Sequence, residues 1–430
     1  MELLSSKILR IINSLREEIC RSSDTLYLII LGLYVSSLTL SRVAWVTLPG
    51  FSGIILKQTL SICVFIILSI YLGSILFLWL RRRWTIFLIF LAVVGFLFMC
   101  ARMQRDIFDG LMICILIVCA YGRTYKRILQ VMLGCIGTTV IAAALGVLIG
   151  FARETPKVGA YGTGYAFGFS HPNIWGAYVL ILLLLVWYLF ILNRSGFFQY
   201  IYFAFSWMLG IFMVFVPKCR TEALLTILFP IVAIISKSLA GLENLSKNGR
   251  EHRRVVSILT WVLVLSPVIC FCITIVLGQM REWLVVHTFG TYIENFSKRF
   301  IQSGLALKEH GLPLFGELIR FNSGLSEELG GYTFILYIMD NAYLSYAILR
   351  GMIWLVPILA WLCYAGWKAV KEKNYALLTA AVMFSLLGLM ERYALDIYNF
   401  VLLYPLTIAA VNRSPGDHNY QREITGETKD

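Results

Sequence analysis

Apolar runs of about 20 residues, the length a helix needs to cross a ~30 Å hydrocarbon layer, recur along this chain from near residue 24 to near residue 412. That recurrence constrains the fold more than any other feature, and it fixes the class as an all-α polytopic membrane protein. Only 14% of residues are charged and the mean hydropathy is +0.78, against roughly 25% charged residues in a soluble domain. The runs leave no room for a separate soluble domain, so residues 1–430 read as a single integral membrane domain. About twelve spans are expected, at 24–42, 58–80, 84–100, 105–121, 128–151, 173–193, 199–216, 222–240, 256–278, 343–367, 375–391 and 395–412. Residues 1–23 form a charged amphipathic segment on the cytoplasmic surface, too polar for a signal peptide and without a cleavage signature. The polar tail, 413–430, is cytoplasmic and disordered by composition.

The net charge is +13, but the basic residues flank apolar runs, which makes them a topology signal and not a nucleic-acid footprint. Lys7, Arg10, Arg81 to Arg83, Lys126, Arg127, Arg194, Arg253, Arg254, Lys368 and Lys371 fall on alternate connections. That alternation places both termini in the cytoplasm. The ten cysteines sit mostly within apolar runs, with no CxxC pair and no His spacing suited to a metal.

Two polar intervals then face outward. One is ARETPKVGAYGTGYAFGFSHPNIWG, ending at Gly176; the other is the long extracytoplasmic loop 279–341. Irregular cation-bearing backbone beside apolar helices calls for something polar to be shaped around. Loops as long as 279–341 are functional or disordered, and the apolar spacing of Phe300 to Lys308 predicts a short helix within this one. Gly311 to Gly316 predicts a turn back toward the membrane.

Three arginines stand where apolar runs meet polar backbone: Arg153, Arg220 and Arg299. Guanidinium forks that converge suit a diphosphate; singly, each can equally be a snorkelling helix-end residue. The triplet His171-Pro172-Asn173 opens a span, with Asn173 as a candidate helix cap and His171 as a group able to accept a proton. Gly159, Gly162, Gly164 and Gly168 are a candidate anion nest. Asp340-Asn341 closes the long loop, where Asp340 is either an N-cap or a base. Glu391 is expected to pair with its neighbour Arg392 or to join the same pocket. No set of side chains has metal-ligand spacing.

GFSHPNIWGAY, Arg220-Thr221, KRF followed by HGLPLFG, and MDNAYLSYAILRGMIW together resemble the Wzy-type polysaccharide polymerases of the O-antigen ligase and polymerase superfamily. The ten residues between Arg153 and Gly164 match the arginine-ten-glycine pattern of such enzymes. The likeness covers residues 150–400. It implies a GT-C-like, metal-independent and cofactor-free glycosyltransferase of the bacterial plasma membrane, which polymerises undecaprenyl-diphosphate-linked oligosaccharide repeat units into capsular or exopolysaccharide. It further implies diphosphate binding by Arg153, Arg220 and Arg299, with Asp340 as first choice of base and His171 as second. Gly164, Asn173, Asn341 and Glu391 have supporting roles. Membrane lipid and a chain-length regulator are the implied partners. Ligase relatives carry His-Asn where this chain has Asp340-Asn341, a departure that favours the polymerases. An O-antigen ligase and a lipid-linked oligosaccharide flippase or other transporter are the competing classes. Paired halves and midplane charges, which transport calls for, are absent from the sequence pattern.

Overall fold

The computed structural model describes residues 25, 27–44, 125–154, 156–159, 162–194, 196–245, 250–289, 294–317, 326–329, 331–335 and 339–394. The expected spans at 58–80, 84–100, 105–121 and 395–412, the amphipathic segment 1–23 and the tail 413–430 lie outside them. The chain divides into two compact units, one of Met1–Arg153 with Val411–Asp430 and one of Glu154–Ala410.

In the first unit, α1 (Tyr27–Leu40) lies against α2 (Tyr125–Leu148). A Cβ on Gly32 would meet Val131 and Cys135 at 3.4 and 3.5 Å, ordinary contact distances. The hydroxyls of Ser37 and Thr39 bond backward to carbonyls of their own helix, at Tyr34 and Val35, which hides their polarity on an apolar face.

The second unit opens with a short hairpin, β1 (Lys157–Gly159) and β2 (Gly162–Gly164), paired Val158 to Thr163. Three of the four candidate-nest glycines, Gly159, Gly162 and Gly164, lie in this hairpin. Helices α3 (Pro172–Val186), α4 (Gly196–Phe215) and α5 (Arg220–Leu245) follow. A π-turn, Trp187–Ile191, extends α3 and packs the Trp187 ring among Tyr202, Phe203 and Phe229. Four described helices are long and apolar enough to cross a membrane: Lys126–Leu148, Pro172–Ile191, Gly196–Phe215 and Arg220–Leu239. On α4 the exposed residues Phe197, Ile201, Phe205, Met208, Ile211 and Phe215 turn apolar surface outward, which a bilayer tolerates and water does not.

Two expected single spans are broken. The run 256–278 is two helices, α6 (Arg250–Val264) and α7 (Ser266–Gln279), bent by 69°. Pro267 stands in the first turn of α7, where its missing N–H and fixed φ suit a helix start and oppose helix continuation from α6. The run 343–367 is also two helices, α10 (Ala342–Leu349) and α11 (Met352–Lys371). Gly351 at the junction has φ +95°, open to glycine. The segment Gly311–Gly316 feeds this break: the N–H groups of Met352 and Ile353 donate to the carbonyls of Pro313 and Leu314 at 2.9 and 3.1 Å, and Glu317 N–H donates to Ile348 at 2.7 Å. The loop thus satisfies helix-end groups that no side chain caps.

The long loop is ordered over most of its described length. It holds α8 (Arg281–Thr288), α9 (Glu294–His310) and a hairpin of β3 (Ser326–Leu329) with β4 (Tyr332–Ile335). Leu284, Val285, Phe300, Ile301, Leu329 and Phe334 form a core between them. Glu327 receives Arg281 at 2.7 Å and Lys308 at 2.6 Å, tying the hairpin to both helices. The Arg281 hydrogen bonds, foremost, hold the Glu327 carboxyl below its ordinary pKa. Beneath, α9 crosses α7 backbone to backbone: a Cβ on Gly304 would stand 2.8 Å from the carbonyl carbon of Gly278. The last described α-helix, α12 (Tyr375–Met390), packs against α5, α7 and α11.

Candidate active site

Five helix ends converge in the second unit: the starts of α3, α5 and α10, the first turns of α9, and the end of α12. Close approach makes this possible. A Cβ on Gly176 of α3 would stand 2.9 Å from Glu222 Cβ of α5, nearer than ordinary packing allows, so glycine lets the two helices meet. The Gly278–Gly304 crossing does the same for α9, the helix that carries Arg299.

Arg299 is the centre. Its Nη1 donates to Glu391 Oε1 at 2.6 Å and to the Met390 carbonyl, and stands 3.5 Å from Thr221 Oγ1. Glu391 Oε1 also accepts from Asn173 Nδ2 at 2.9 Å. On the other edge of the fork, Nε faces Asp340 Oδ2 at 3.6 Å. The two carboxylates differ in access, with 6% of the Glu391 side chain exposed against 33% for Asp340. Burial works against the guanidinium's charge, but Glu391 and Asp340 outweigh it, and Glu222 adds to their pull; Arg299 is held above its ordinary pKa. The expected Glu391–Arg392 pairing gives way to one with Arg299.

His171 is the N-cap of α3, a role the sequence reading gave to Asn173. Its Nδ1 accepts from Asn173 N–H at 3.1 Å, and Pro172 takes the first helical position. Asn173 is thereby left to reach Glu391 with its side chain. On the other side of the ring, Nε2 lies 2.7 Å from Lys157 Nζ, delivered by β1. Burial, then Lys157, then Arg299 push the imidazole pKa down to about 4. The ring is neutral at pH 7, and both cations oppose its protonation.

Asn341, fully buried, is the N-cap of α10, accepting from Leu344 N–H at 3.0 Å. Its amide donates to Thr274 at 3.0 Å and to the Leu389 carbonyl at 2.7 Å. The capping role weighed for Asp340 belongs to its neighbour, and Asp340 is left with its carboxylate turned to Arg299. Arg220 is exposed at the first position of α5, beside the Thr221 that contacts Arg299. Gly164 is buried with its Cα packed onto the Pro217–Lys218 backbone. Arg153 lies in the first unit, exposed, with its N–H donating to Ala44 O at 2.7 Å. The structure thus brings together Arg299, Asp340, Glu391, Asn173 and His171.

Sequence reasoning passed over Glu222 and Glu154. Glu222 is fully buried in the first turn of α5, where an acid is ordinary helix-terminus chemistry; its signal was that an apolar run should hide a carboxylate at all. Glu154 accepts the Ala166 N–H at 2.5 Å, closing the polar interval on itself. Of the loop aromatics, Trp283 lies on the His287 ring and Tyr332 against Phe289. Among the described residues, no group of three or more His, Cys, Asp or Glu side chains is placed to hold a metal ion.

No protein-family model matches the chain, and no curated protein or solved structure matches it either. The chemical reading therefore rests on the residues and their geometry.

Proposed function

We propose that this protein is a membrane glycosyltransferase that polymerises undecaprenyl-diphosphate-linked oligosaccharide repeat units at the outer face of a bacterial plasma membrane. Both termini are cytoplasmic, and neither metal nor cofactor takes part. The observation that carries the reading is Arg299: a permanently charged fork at the junction of apolar helices, anchored by Glu391 through one nitrogen and faced on its other edge by a single, half-open carboxylate.

The chemistry follows from that arrangement. An acceptor hydroxyl oxygen bonds to the anomeric carbon of the donor; the bond from that carbon to the lipid diphosphate breaks, and its electron pair leaves with the diphosphate. Charge grows on the departing oxygens, where a fixed guanidinium stabilises the transition state more than the ground state. The hydroxyl proton passes to a base. Asp340 suits that role better than His171, because both ring nitrogens of His171 already have partners. Lys157 and the exposed Arg220 add positive charge for the donor.

The test is reconstitution of the purified protein in lipid nanodiscs with an undecaprenyl-diphosphate oligosaccharide, followed by separation of products by length. A ladder of polymer that Arg299→Ala abolishes supports the reading. Transfer only to a different acceptor assigns ligase chemistry instead, and movement of the lipid without bond formation assigns a flippase.

A further inference from the structure

The fork of Arg299 is used unevenly. Its Nη1 serves Glu391, Met390 and Thr221 at once. Among the described residues, Nη2 makes no hydrogen bond. Nε is faced, among the described residues, only by Asp340 at 3.6 Å, beyond the distance of a hydrogen bond. One side of the guanidinium is therefore fixed in protein, and the opposite side is held loosely by the more exposed of its two carboxylates.

We propose that the Nε and Nη2 edge of Arg299 is an anion seat on which Asp340 is a placeholder: a phosphate oxygen of the donor displaces Asp340, and the freed carboxylate turns to the acceptor hydroxyl. Three features support the exchange. An edge with two parallel N–H groups matches two phosphate oxygens at about 2.8 Å, a geometry the loose Asp340 contact does not reach. A diphosphate cannot share that edge with a carboxylate, because like charges at contact repel. The anchor does not have to move, since Glu391 keeps Nη1 while the outer edge changes partner. The consequence is an order of events: Asp340 stays engaged with Arg299 until the donor docks, and only then becomes available as a base. Premature deprotonation of other hydroxyls is thereby disfavoured.

The idea rests on the polymerase reading for the identity of the donor, but the seat itself is a property of the chain. It is tested by equilibrium binding to the full-length protein in nanodiscs, with undecaprenyl diphosphate, undecaprenol and inorganic pyrophosphate as separate probes. Asp340→Asn, with Asp340→Ser as a second uncharged replacement, is expected to bind the two diphosphate probes roughly two- to fivefold tighter than the native chain, the worth of one half-exposed ion pair. Arg299→Ala is expected to lose diphosphate binding, with undecaprenol unaffected throughout. Unchanged or weaker diphosphate binding by both Asp340 variants overturns the exchange while leaving the polymerase reading standing. Binding of pyrophosphate that behaves as expected, without any preference for undecaprenyl diphosphate over undecaprenol, keeps the seat and removes the lipid-linked donor. Absence of all diphosphate binding by the native chain overturns both.

Discussion

Glu391 accepts a hydrogen bond from Nη1 of Arg299 at 2.6 Å, across 92 positions of sequence and from the end of a different helix. On the proposed mechanism Glu391 is a positioning residue, acting on substrate only through the guanidinium it orients. Glu391→Ala leaves Arg299 charged in a largely buried place, and a loss of about 3 kcal/mol of stability is expected from such an uncompensated charge. Glu391→Gln retains an acceptor and the volume. It should keep most of the thermal stability yet lower kcat at least tenfold, with KM raised less. A Gln variant with native kcat and reduced unfolding temperature would assign Glu391 to structure alone.

The Gly278–Gly304 crossing predicts a stability effect that carries into the site. A methyl at position 304 meets the α7 backbone, which cannot rotate away, and overpacking of this kind costs about 1–3 kcal/mol. Gly304→Ala should lower the unfolding temperature and weaken turnover, because α9 carries Arg299. Gly134→Ala is the control: nothing lies within 4 Å of its added Cβ, so the better helix former should be neutral or slightly stabilising. Equal behaviour of the two variants in thermal unfolding would remove the argument for backbone contact.

His171 predicts a pH dependence whose sign is fixed by its shift. The folded pKa is about 4 against 6.5 for the ordinary group. Between those values the unfolded chain binds a proton that the native chain does not, so this contribution to stability is complete above pH 6.5 and is lost as pH falls toward 4. Lys157 and Arg299 are the charged groups that act on the ring. His171→Asn keeps an oxygen for the Asn173 N–H without titrating. Its unfolding temperature should fall less steeply than that of the native chain over this window, and parallel curves would contradict the assignment.

How far the sequence disclosed this structure depends on the range of the interaction. The apolar runs at 172–191 and 196–215 and the helix around Phe300 were legible because hydropathy and periodicity are local. The bend between α6 and α7 had its own sign in Pro267, hidden by the continuous apolarity around it. The break at Gly351 did not: its φ is set by docking of Leu314 and Phe315, which only the folded chain supplies. Pro at the first position of α3 pointed to the residue before it as the cap, which makes His171 readable and Asn173 the misassignment. Arg299 was recognised from its surroundings, but the partner of Glu391 was sought next door at Arg392, because contacts 92 positions apart leave no local pattern.

The ion triad of the loop hairpin predicts a separable role for the loop. Glu327 has its pKa lowered by Arg281, so the tie it forms is present above the ordinary carboxylate range and is lost as pH falls through the lowered value. Glu327→Gln should accelerate hydrogen exchange in 326–335 at pH 7 without changing that of α12. Equal protection in the variant and the native chain would show that the apolar core beneath holds the hairpin unaided.

Asp340 and Asn341 stand side by side at the start of α10, and the structure divides their tasks so that single substitutions separate them. Asn341 makes the cap to Leu344 and ties α10 to Thr274 and Leu389, all in a buried setting. Asn341→Ala removes a cap worth about 1 kcal/mol and takes away the amide that donates to Thr274 and to the Leu389 carbonyl, so reduced abundance and a lower unfolding temperature are expected. Asp340 makes no cap, and its carboxylate meets Arg299 at the edge of the site. Asp340→Asn conserves shape and removes basicity, so abundance and unfolding temperature should stay near native while polymer formation is lost. On the proposed mechanism the acceptor hydroxyl's proton is then left without its base, and a fall of about 10²- to 10⁴-fold in turnover is expected. Product ladders from the reconstituted variant decide the matter: chains of native length and rate from Asp340→Asn would exclude Asp340 as the base and transfer that role to the His171 side of the site.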